Sequence, residues 1–304
     1  MKKQEESHKT LEELEEQAID RIRRFAKLAD KMGFEVCLGF SGGKDSQVCY
    51  DLCKRSGIKF KAYYNHCFES NTTRQFIREQ YPEVIYRRVV KEGFIRNISK
   101  NHGGLLPTVQ RAYCCNDYKH NPKLADACSM VGVRKAESAK RSKRTALSIK
   151  NKTTVKKNKE AIDEYFFENC QSIGGASVIQ LAPIVDWLDK DVWEYIYKYN
   201  LPFNPEYTHN TRVGCIVCPK TNFSFNYKVL LERPKLIDAF IKARENGHID
   251  VDWVIHKDGK DYSDDKCYYI CRWLNYSFMP FSKKQEGYYK LVEAAYKELH
   301  KVNE

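Results

Sequence analysis

The run Glu35-Val-Cys-Leu-Gly-Phe40 is short and apolar, and it breaks directly into Ser41-Gly-Gly-Lys-Asp-Ser46 before a helical pattern begins. A strand that turns through two glycines into a helix is a building block of open α/β sheets, so this segment constrains the fold more than any other. Gly42 and Gly43 let backbone N–H groups face an anion, and the helix opening near Lys44 adds its positive dipole end. Lys44 supplies a full charge. The chemistry is that of a phosphate cradle. The Walker pattern requires four residues between its first glycine and a Gly-Lys pair. Gly39, Gly42 and Gly43 do not provide that spacing, which argues against an ordinary phosphate-hydrolysing P-loop.

The rest of the chain agrees with a sheet of this kind. Leu11, Leu14, Ala18, Ile22, Phe25 and Leu28 recur at helical spacing within residues 8–32, with acidic residues early and basic ones late. Strand-like runs at 35–40, 58–64, 83–90 and 129–134 alternate with helical patterns at Lys44–Lys54 and Thr72–Glu79. This alternation predicts a doubly wound parallel sheet, whose ligands bind at the carboxyl ends of the strands, where Ser41–Ser46 lies. A further strand is expected at Val178–Val185, then a helix capped by Asp189 and halted by Pro202 and Pro205. Helices near Asn226–Asn246 and Lys284–His300 belong to a smaller, mostly helical C-terminal region. The expected division is a leading helix over 1–34, a nucleotide-binding α/β domain over 35–219 and a helical or irregular region over 220–304. From Arg134 to Lys159 the chain is rich in Lys and Arg, has Glu137 as its only acidic residue and shows no apolar period. This basic insertion, at about 135–160, reads either as a solvated loop or as a nucleic-acid arm that orders on binding.

The 304 residues, 42% of them hydrophobic, suffice for one large or two modest cores. No stretch reaches the length of a membrane span, and the charged start Met1-Lys-Lys-Gln-Glu-Glu is not followed by an apolar region, so a cytoplasmic protein without membrane contact is expected. In that compartment the twelve cysteines are not expected to pair as structural disulfides. The net charge of +12 favours a polyanionic partner, DNA or tRNA among them.

Four cysteines stand out by spacing: the adjacent Cys114-Cys115, and Cys215-Ile-Val-Cys218 closed by Pro219. A CxxC pair lets two thiolates converge on one centre, which suits zinc, iron–sulfur and redox sites alike. Adjacent side chains diverge, so Cys114 and Cys115 are awkward ligands for one tetrahedral ion but can reach separate irons of a cubane. The spacing favours a four-iron, four-sulfur cluster, with zinc as the alternative metal and uncoordinated cysteines as a third reading. Cys267 and Cys271, four apart, are either a redox pair or core residues, with core favoured. Cys37, Cys49, Cys53, Cys67, Cys128 and Cys170 read as core or incidental. His66, His102, His120 and His209 show no metal-ligand spacing, and the aromatic run Tyr262–Phe281 reads as core rather than a base-stacking surface.

Taken together, these motifs resemble the phosphoadenosine-phosphosulfate reductase family of the adenine-nucleotide α-hydrolase superfamily. Ser41–Ser46 looks like the PP-loop of its ATP pyrophosphatases, which cleave between the α and β phosphates. Arg111-Ala-Tyr-Cys-Cys-Asn-Asp-Tyr-Lys119 with Pro122 is similar to its cysteine segment. Gly132-Val-Arg-Lys-Ala-Glu-Ser-Ala-Lys-Arg141 is similar to its nucleotide-facing loop, and Pro183–Trp187 and Asp191–Ile196 to its next strand and helix. The likeness runs from about Glu35 to Pro219. It departs in two respects: no cysteine follows Cys271, where a sulfonucleotide reductase carries its nucleophile, and the phosphate loop is intact, as ATP requires.

The resemblance therefore implies the sulfur-inserting branch, such as DndC-type proteins and tRNA thiolases. Ser41, Gly42, Gly43 and Ser46 would cradle pyrophosphate, and Lys44 would neutralise it. Asp45 would hold Mg²⁺ or cap the helix. Gly132, Glu137 and Ser138 would lie against ATP, Arg134 and Arg141 would meet a phosphate or the activated substrate, and Cys114, Cys115, Cys215 and Cys218 would hold the cluster. A cysteine desulfurase or other sulfur donor would act as partner. The alternatives are a sulfonucleotide reductase recruiting Cys267 or Cys271, and a zinc-stapled nucleic-acid-binding protein that only senses nucleotide.

Overall fold

The computed structural model describes residues 9–119, 127–139, 141–149, 159–165, 171–172, 179–208, 210, 212–221, 223–250, 265–275 and 283–301. His120, Pro122, Lys140, Cys170, His209, the stretch 150–158 of the basic insertion and both ends of the aromatic run lie outside the described residues. The first elements are α1 (Leu11–Lys31), β1 (Glu35–Gly39), α2 (Lys44–Ser56), β2 (Lys61–Asn65), α3 (Asn71–Gln80), β3 (Ile85–Arg87) and α4 (Phe94–His102). There follow β4 (Ala127–Val131), β5 (Leu147–Ile149), α5 (Lys159–Tyr165), β6 (Gln171–Ser172), β7 (Ile179–Leu181) and α6 (Asp189–Lys198). The chain then forms α7 (Phe223–Glu232), α8 (Pro234–Glu245), α9 (Tyr268–Asn275) and α10 (Lys283–Lys301).

The chain divides into two compact units: 1–66, 71–87 and 121–214 form the first, and 67–70, 88–120 and 215–304 the second. The expected boundaries at 34 and 219 differ from this division. Helix α1 packs on α2 and β1 and so belongs to the first unit, while the tandem-cysteine segment belongs to the second. Contacts distant in sequence decide the matter, and a linear reading of composition carries no trace of them.

The first unit is an α/β fold. Its sheet has the order β3-β2-β1-β4-β7-β5-β6, parallel except where β5 runs against β7. Val36, Cys37 and Leu38 of β1 are all buried, as expected for a central strand covered on both faces. Helix α1 starts at a capping box: the Thr10 hydroxyl accepts from the Glu13 N–H at 3.3 Å, and Glu13 Oε2 accepts from the Thr10 N–H at 2.8 Å. Its apolar face of Leu14, Ala18, Ile22, Phe25 and Leu28 is fully covered. Strands β2 and β3 are added on one side of β1 and β4 on the other, so the order reverses at β1 and a crevice opens between the carboxyl ends of β1 and β4. Gly39 and Val131 pair across that edge.

Three expectations need correction. Asp189 is the first residue of α6 rather than its cap; Leu188 caps it, with its N–H held by Asp191 Oδ2 at 2.6 Å. The single helix expected near Asn226–Asn246 is two helices, because Pro234 has no N–H to continue α7 and instead starts α8. The basic insertion is not uniformly solvated. Leu147, Ser148 and Ile149 enter the sheet fully buried, and Lys135 is paired with Asp186 at 2.6 Å. Three strand residues are too few to show a period.

The second unit is mostly helical, as expected for the C-terminal region. Its core gathers Ile98, Tyr227, Leu230, Ile237, Phe240, Tyr269, Ile270, Trp273 and Val292. Trp273 Nε1 donates to the Pro107 carbonyl at 2.6 Å, tying α9 to the segment before the tandem cysteines. Cys267 and Cys271 are both buried here, and burial pushes the Cys267 thiol up to about 12.

Candidate functional site

In the first unit the phosphate-loop residues lie at the crevice between β1 and β4. Gly42 has φ +72°, and a Cβ there would stand 2.8 Å from Ile77 Cδ1, so both conformation and space demand glycine. The loop is fastened to itself. Ser46 Oγ donates to the Gly43 carbonyl at 2.7 Å and accepts from the Ser41 N–H at 3.2 Å, while Ser41 Oγ receives the Gly43 N–H at 3.4 Å. Ser41 and Ser46 thus shape the loop with their hydroxyls. Asn204 Nδ2, fully buried, donates to the Gly42 carbonyl and to Thr73 Oγ1, each at 3.1 Å.

Lys44 is buried, and its Nζ lies 3.0 Å from Asp189 Oδ1 and 3.5 Å from Asp45 Oδ2. Arg134, brought in by the loop after β4, donates from Nε to Asp45 Oδ1 at 2.5 Å and from NH2 to Asp189 Oδ1 at 2.8 Å. Two cations and two carboxylates therefore alternate at the mouth of the loop. Burial works against the charge of Asp189, yet Lys44 and Arg134 outweigh it and hold the carboxyl below its usual range. Asp45 does not cap α2; Gly43 occupies that position. Tyr207 also enters the site, with its hydroxyl accepting the Lys44 N–H at 3.0 Å and its ring 5.6 Å from Lys44 Nζ.

The remaining expected nucleotide residues separate by role. Gly132 is required by close approach, since a Cβ would stand 2.7 Å from the backbone C and O of Asp45 and 3.0 Å from the Ser46 N. Gly132→Ala is expected to lower stability by about 1–3 kcal/mol, whereas Gly214→Ala, with nothing within 4 Å, is expected to be nearly neutral. Urea melts of the two variants check this; equal midpoints would refute it. Glu137 accepts the Arg134 N–H at 3.0 Å and pairs with Arg141, so it braces the loop. Arg141 is half-buried on that brace, and Ser138 accepts the Arg141 N–H through its backbone carbonyl at 2.8 Å.

The second unit brings Cys114, Cys115, Cys215 and Cys218 to one pocket and adds Cys67. Phe68, Phe94, Pro107, Tyr118, Val217 and Pro219 supply its apolar wall. Cys115 opens a single π-helical turn, Cys115–Lys119, with Cys114 immediately before it, and Asp117 anchors the turn. Asp117 Oδ2 meets His102 Nε2 at 2.7 Å and the Asn97 Nδ2 donor at 3.0 Å, which gives His102 a positioning role. Cys218 is clamped through its backbone: Asn226, buried on α7, accepts its N–H at 3.0 Å and donates to its carbonyl at 2.8 Å. Cys215 lies in a short antiparallel bridge with Glu69, reinforced by the Ile216 N–H donating to the Phe68 carbonyl at 2.9 Å.

Hydrogen bonding to Cys67 holds the Cys215 thiol below its usual range against the opposing effect of burial, and nearby Lys119 contributes in the same direction. Hydrogen bonding to Cys115, together with burial, pushes Cys114 up. Among the described residues no three His, Cys, Asp or Glu side chains stand at metal-holding geometry. The donor set nevertheless fits a soft metal centre: several thiols in an apolar wall beside a lysine are the environment that thiolate-bound iron–sulfur or zinc requires.

Asp189, Asn204, Tyr207, Cys67 and Asn226 escaped the sequence reading. Asn204 and Tyr207 flank Pro205, which signalled only a helix stop. Cys67 follows an apolar strand and looked incidental. Asp189 looked like a cap.

A reversing parallel sheet, a glycine loop with lysine at its switch point and a separate cysteine pocket define a PP-loop protein of the α/β nucleotide-binding class. Residues 35–221 match the phosphoadenosine phosphosulfate reductase domain, and the chain belongs to that family. It is 28% identical to an adenosine 5'-phosphosulfate reductase of Oceanobacillus iheyensis over 196 residues, 61% of this chain and 72% of the relative. It is 24% identical to an uncharacterized protein of Methanocaldococcus jannaschii over 255 residues, 81% of this chain but only 56% of that protein's length. Among solved structures, the U34-tRNA thiolase NcsA from Methanococcus maripaludis with its [4Fe-4S] cluster aligns at a TM-score of 0.39 and 15% identity, covering 78% of this chain and 76% of that one. No helix among the described residues is long and apolar enough to cross a membrane.

Proposed function

We propose that this protein is an ATP pyrophosphatase that adenylates an acceptor oxygen, releasing pyrophosphate, so that sulfur can replace that oxygen on a nucleic acid, as in the DndC-type branch. The observation that carries the reading is the cluster at the crevice: Lys44 and Arg134 converge at the amino end of α2, and Lys44 lies 3.0 Å from Asp189. A polyphosphate arriving there exchanges the carboxylate partners of both cations for its own oxygens, and the helix dipole adds to the attraction. Lys44 then opposes the charge that develops on pyrophosphate as it leaves. Asp45 and Asp189 supply the oxygen donors that Mg²⁺ takes. Gly42 keeps the loop backbone close to the phosphates.

Cys114, Cys115, Cys215 and Cys218 would hold a four-iron, four-sulfur cluster, which when bound supplies a thiophilic site for sulfur. The net charge of +12 supports a nucleic acid as acceptor. Cys271 is fully buried and Cys267 nearly so, which weighs against the reductase reading that would recruit them.

Anaerobically purified protein, assayed for iron and acid-labile sulfide and for the products of α-labelled ATP, tests the proposal. AMP with pyrophosphate and about four irons per chain are expected. ADP with phosphate, or ATP left intact in the presence of DNA and tRNA, would refute the adenylation chemistry. Zinc without sulfide would refute the cluster.

A further inference from the structure

Five cysteines line a pocket for which the proposed cluster uses four. The fifth is Cys67, buried, with its sulfur 3.9 Å from that of Cys215. The two lie 148 positions apart in the chain, and the bridge between Glu69 and Cys215 and the Ile216–Phe68 hydrogen bond hold their segments side by side. We propose that Cys67 and Cys215 form a reversible disulfide, a modification site that withdraws Cys215 from metal binding when the pocket is empty and the surroundings oxidising.

The geometry selects this pair. A disulfide has its sulfurs about 2.05 Å apart, so the pair must close by under roughly 2 Å, which rotation of two side chains on neighbouring segments can provide. Cys114 and Cys115 are consecutive, and Cα atoms about 3.8 Å apart lie below the usual disulfide range of about 4.4–6.8 Å. Cys267 lines an open pocket beside Glu293 and Lys297, but Cys271, one turn on, is fully buried and hydrogen-bonded with Tyr227, so it is held away from an adduct at Cys267. Cys215 is only partly buried and so offers a point of attack.

The chemistry balances with a low-molecular-weight disulfide as oxidant. The Cys215 thiolate attacks one sulfur of the reagent, its S–S bond breaks, and the first small thiolate leaves. Cys67 then attacks the Cys215 sulfur of the mixed disulfide, the second small thiolate leaves, and the two cysteine protons pass to the two released thiolates. Two electrons move from the protein thiols to the reagent. The consequence for metal loading rests on the reading of Cys215 as a ligand; the linkage itself does not.

The test uses the full chain, stripped of metal and reduced, then exposed anaerobically to glutathione disulfide, alkylated and mapped by peptide mass spectrometry without reduction. A peptide pair joining Cys67 to Cys215 is expected as the dominant cross-link, absent from Cys67→Ser and reversed by dithiothreitol. Dominance of a Cys215–Cys218 link, or of glutathione adducts without a cross-link, would overturn the proposal. Cys67→Ala is mapped beside Cys67→Ser, with circular dichroism to establish that the variant used is folded. Iron and sulfide uptake then separates the two readings. Oxidised wild type is expected to load only after reduction, while Cys67→Ser kept from glutathione disulfide loads directly and, once oxidised, carries glutathione on Cys215 in place of the cross-link. If reduced wild type fails to load, the ligand assignment falls and the mapped linkage still decides the disulfide. If it loads and the map lacks the Cys67–Cys215 link, the disulfide falls and the ligand assignment stands.

Discussion

Lys44→Ala is expected to cut the rate of pyrophosphate release from ATP at least about a hundredfold, the scale seen when one charge-stabilising donor is removed from a transition state. The main loss belongs in kcat, because the charge Lys44 opposes grows as the leaving group departs. The fold should survive. The backbone N–H of residue 44, which Tyr207 holds at 3.0 Å, is retained by alanine, and Arg134 still pairs with Asp45 and Asp189. Lys44→Arg is not expected to rescue, because a planar fork does not replace a compact ammonium on a buried stem. A steady-state assay of pyrophosphate, with a thermal melt as control, reads the result; wild-type turnover in a folded Lys44→Ala protein would remove the loop from the chemistry.

Changing Cys115 or Cys218 to serine is expected to abolish iron and sulfide binding, from about four of each per chain to a trace, with loss of the visible absorption band. Serine keeps the size but not the soft thiolate, and the remaining cysteines must then hold the same charge with one bond fewer. Cys67→Ser is expected to keep its iron. The contrast matters because all five sulfurs line the same pocket. Cys218 is the sharper test of the two, since Asn226 grips its backbone amide and carbonyl, and the side-chain change leaves that clamp in place. Iron retained in folded Cys218→Ser would refute its place among the ligands.

How much was legible follows from which interactions are local. The strand at Glu35–Gly39, the glycine turn and α2 were readable because apolar patterning and glycine conformation act over a few residues. Helix α1 was readable for the same reason, through its face and its charge gradient. The strand Leu147–Ile149 was hidden in a basic run because so short a segment shows no alternation, and its partner β7 comes only after α5 and β6, at Ile179–Leu181. Pro234 was visible in the sequence, yet the apolar period on both sides masked the break.

The motifs on which the proposed chemistry rests are written in the sequence: a strand, glycine turn and helix, and paired cysteines, each specified by residues within a few positions of one another. The partners of those groups came from tertiary packing alone. Asp189 became a counter-ion of Lys44 rather than a cap, Tyr207 came to sit on the loop amide, and Cys67 joined a pocket whose other cysteines stand far along the chain. Local conformational preference writes motifs, whereas charge pairing and burial depend on which segments the core brings together, and that is settled by packing summed over the whole unit.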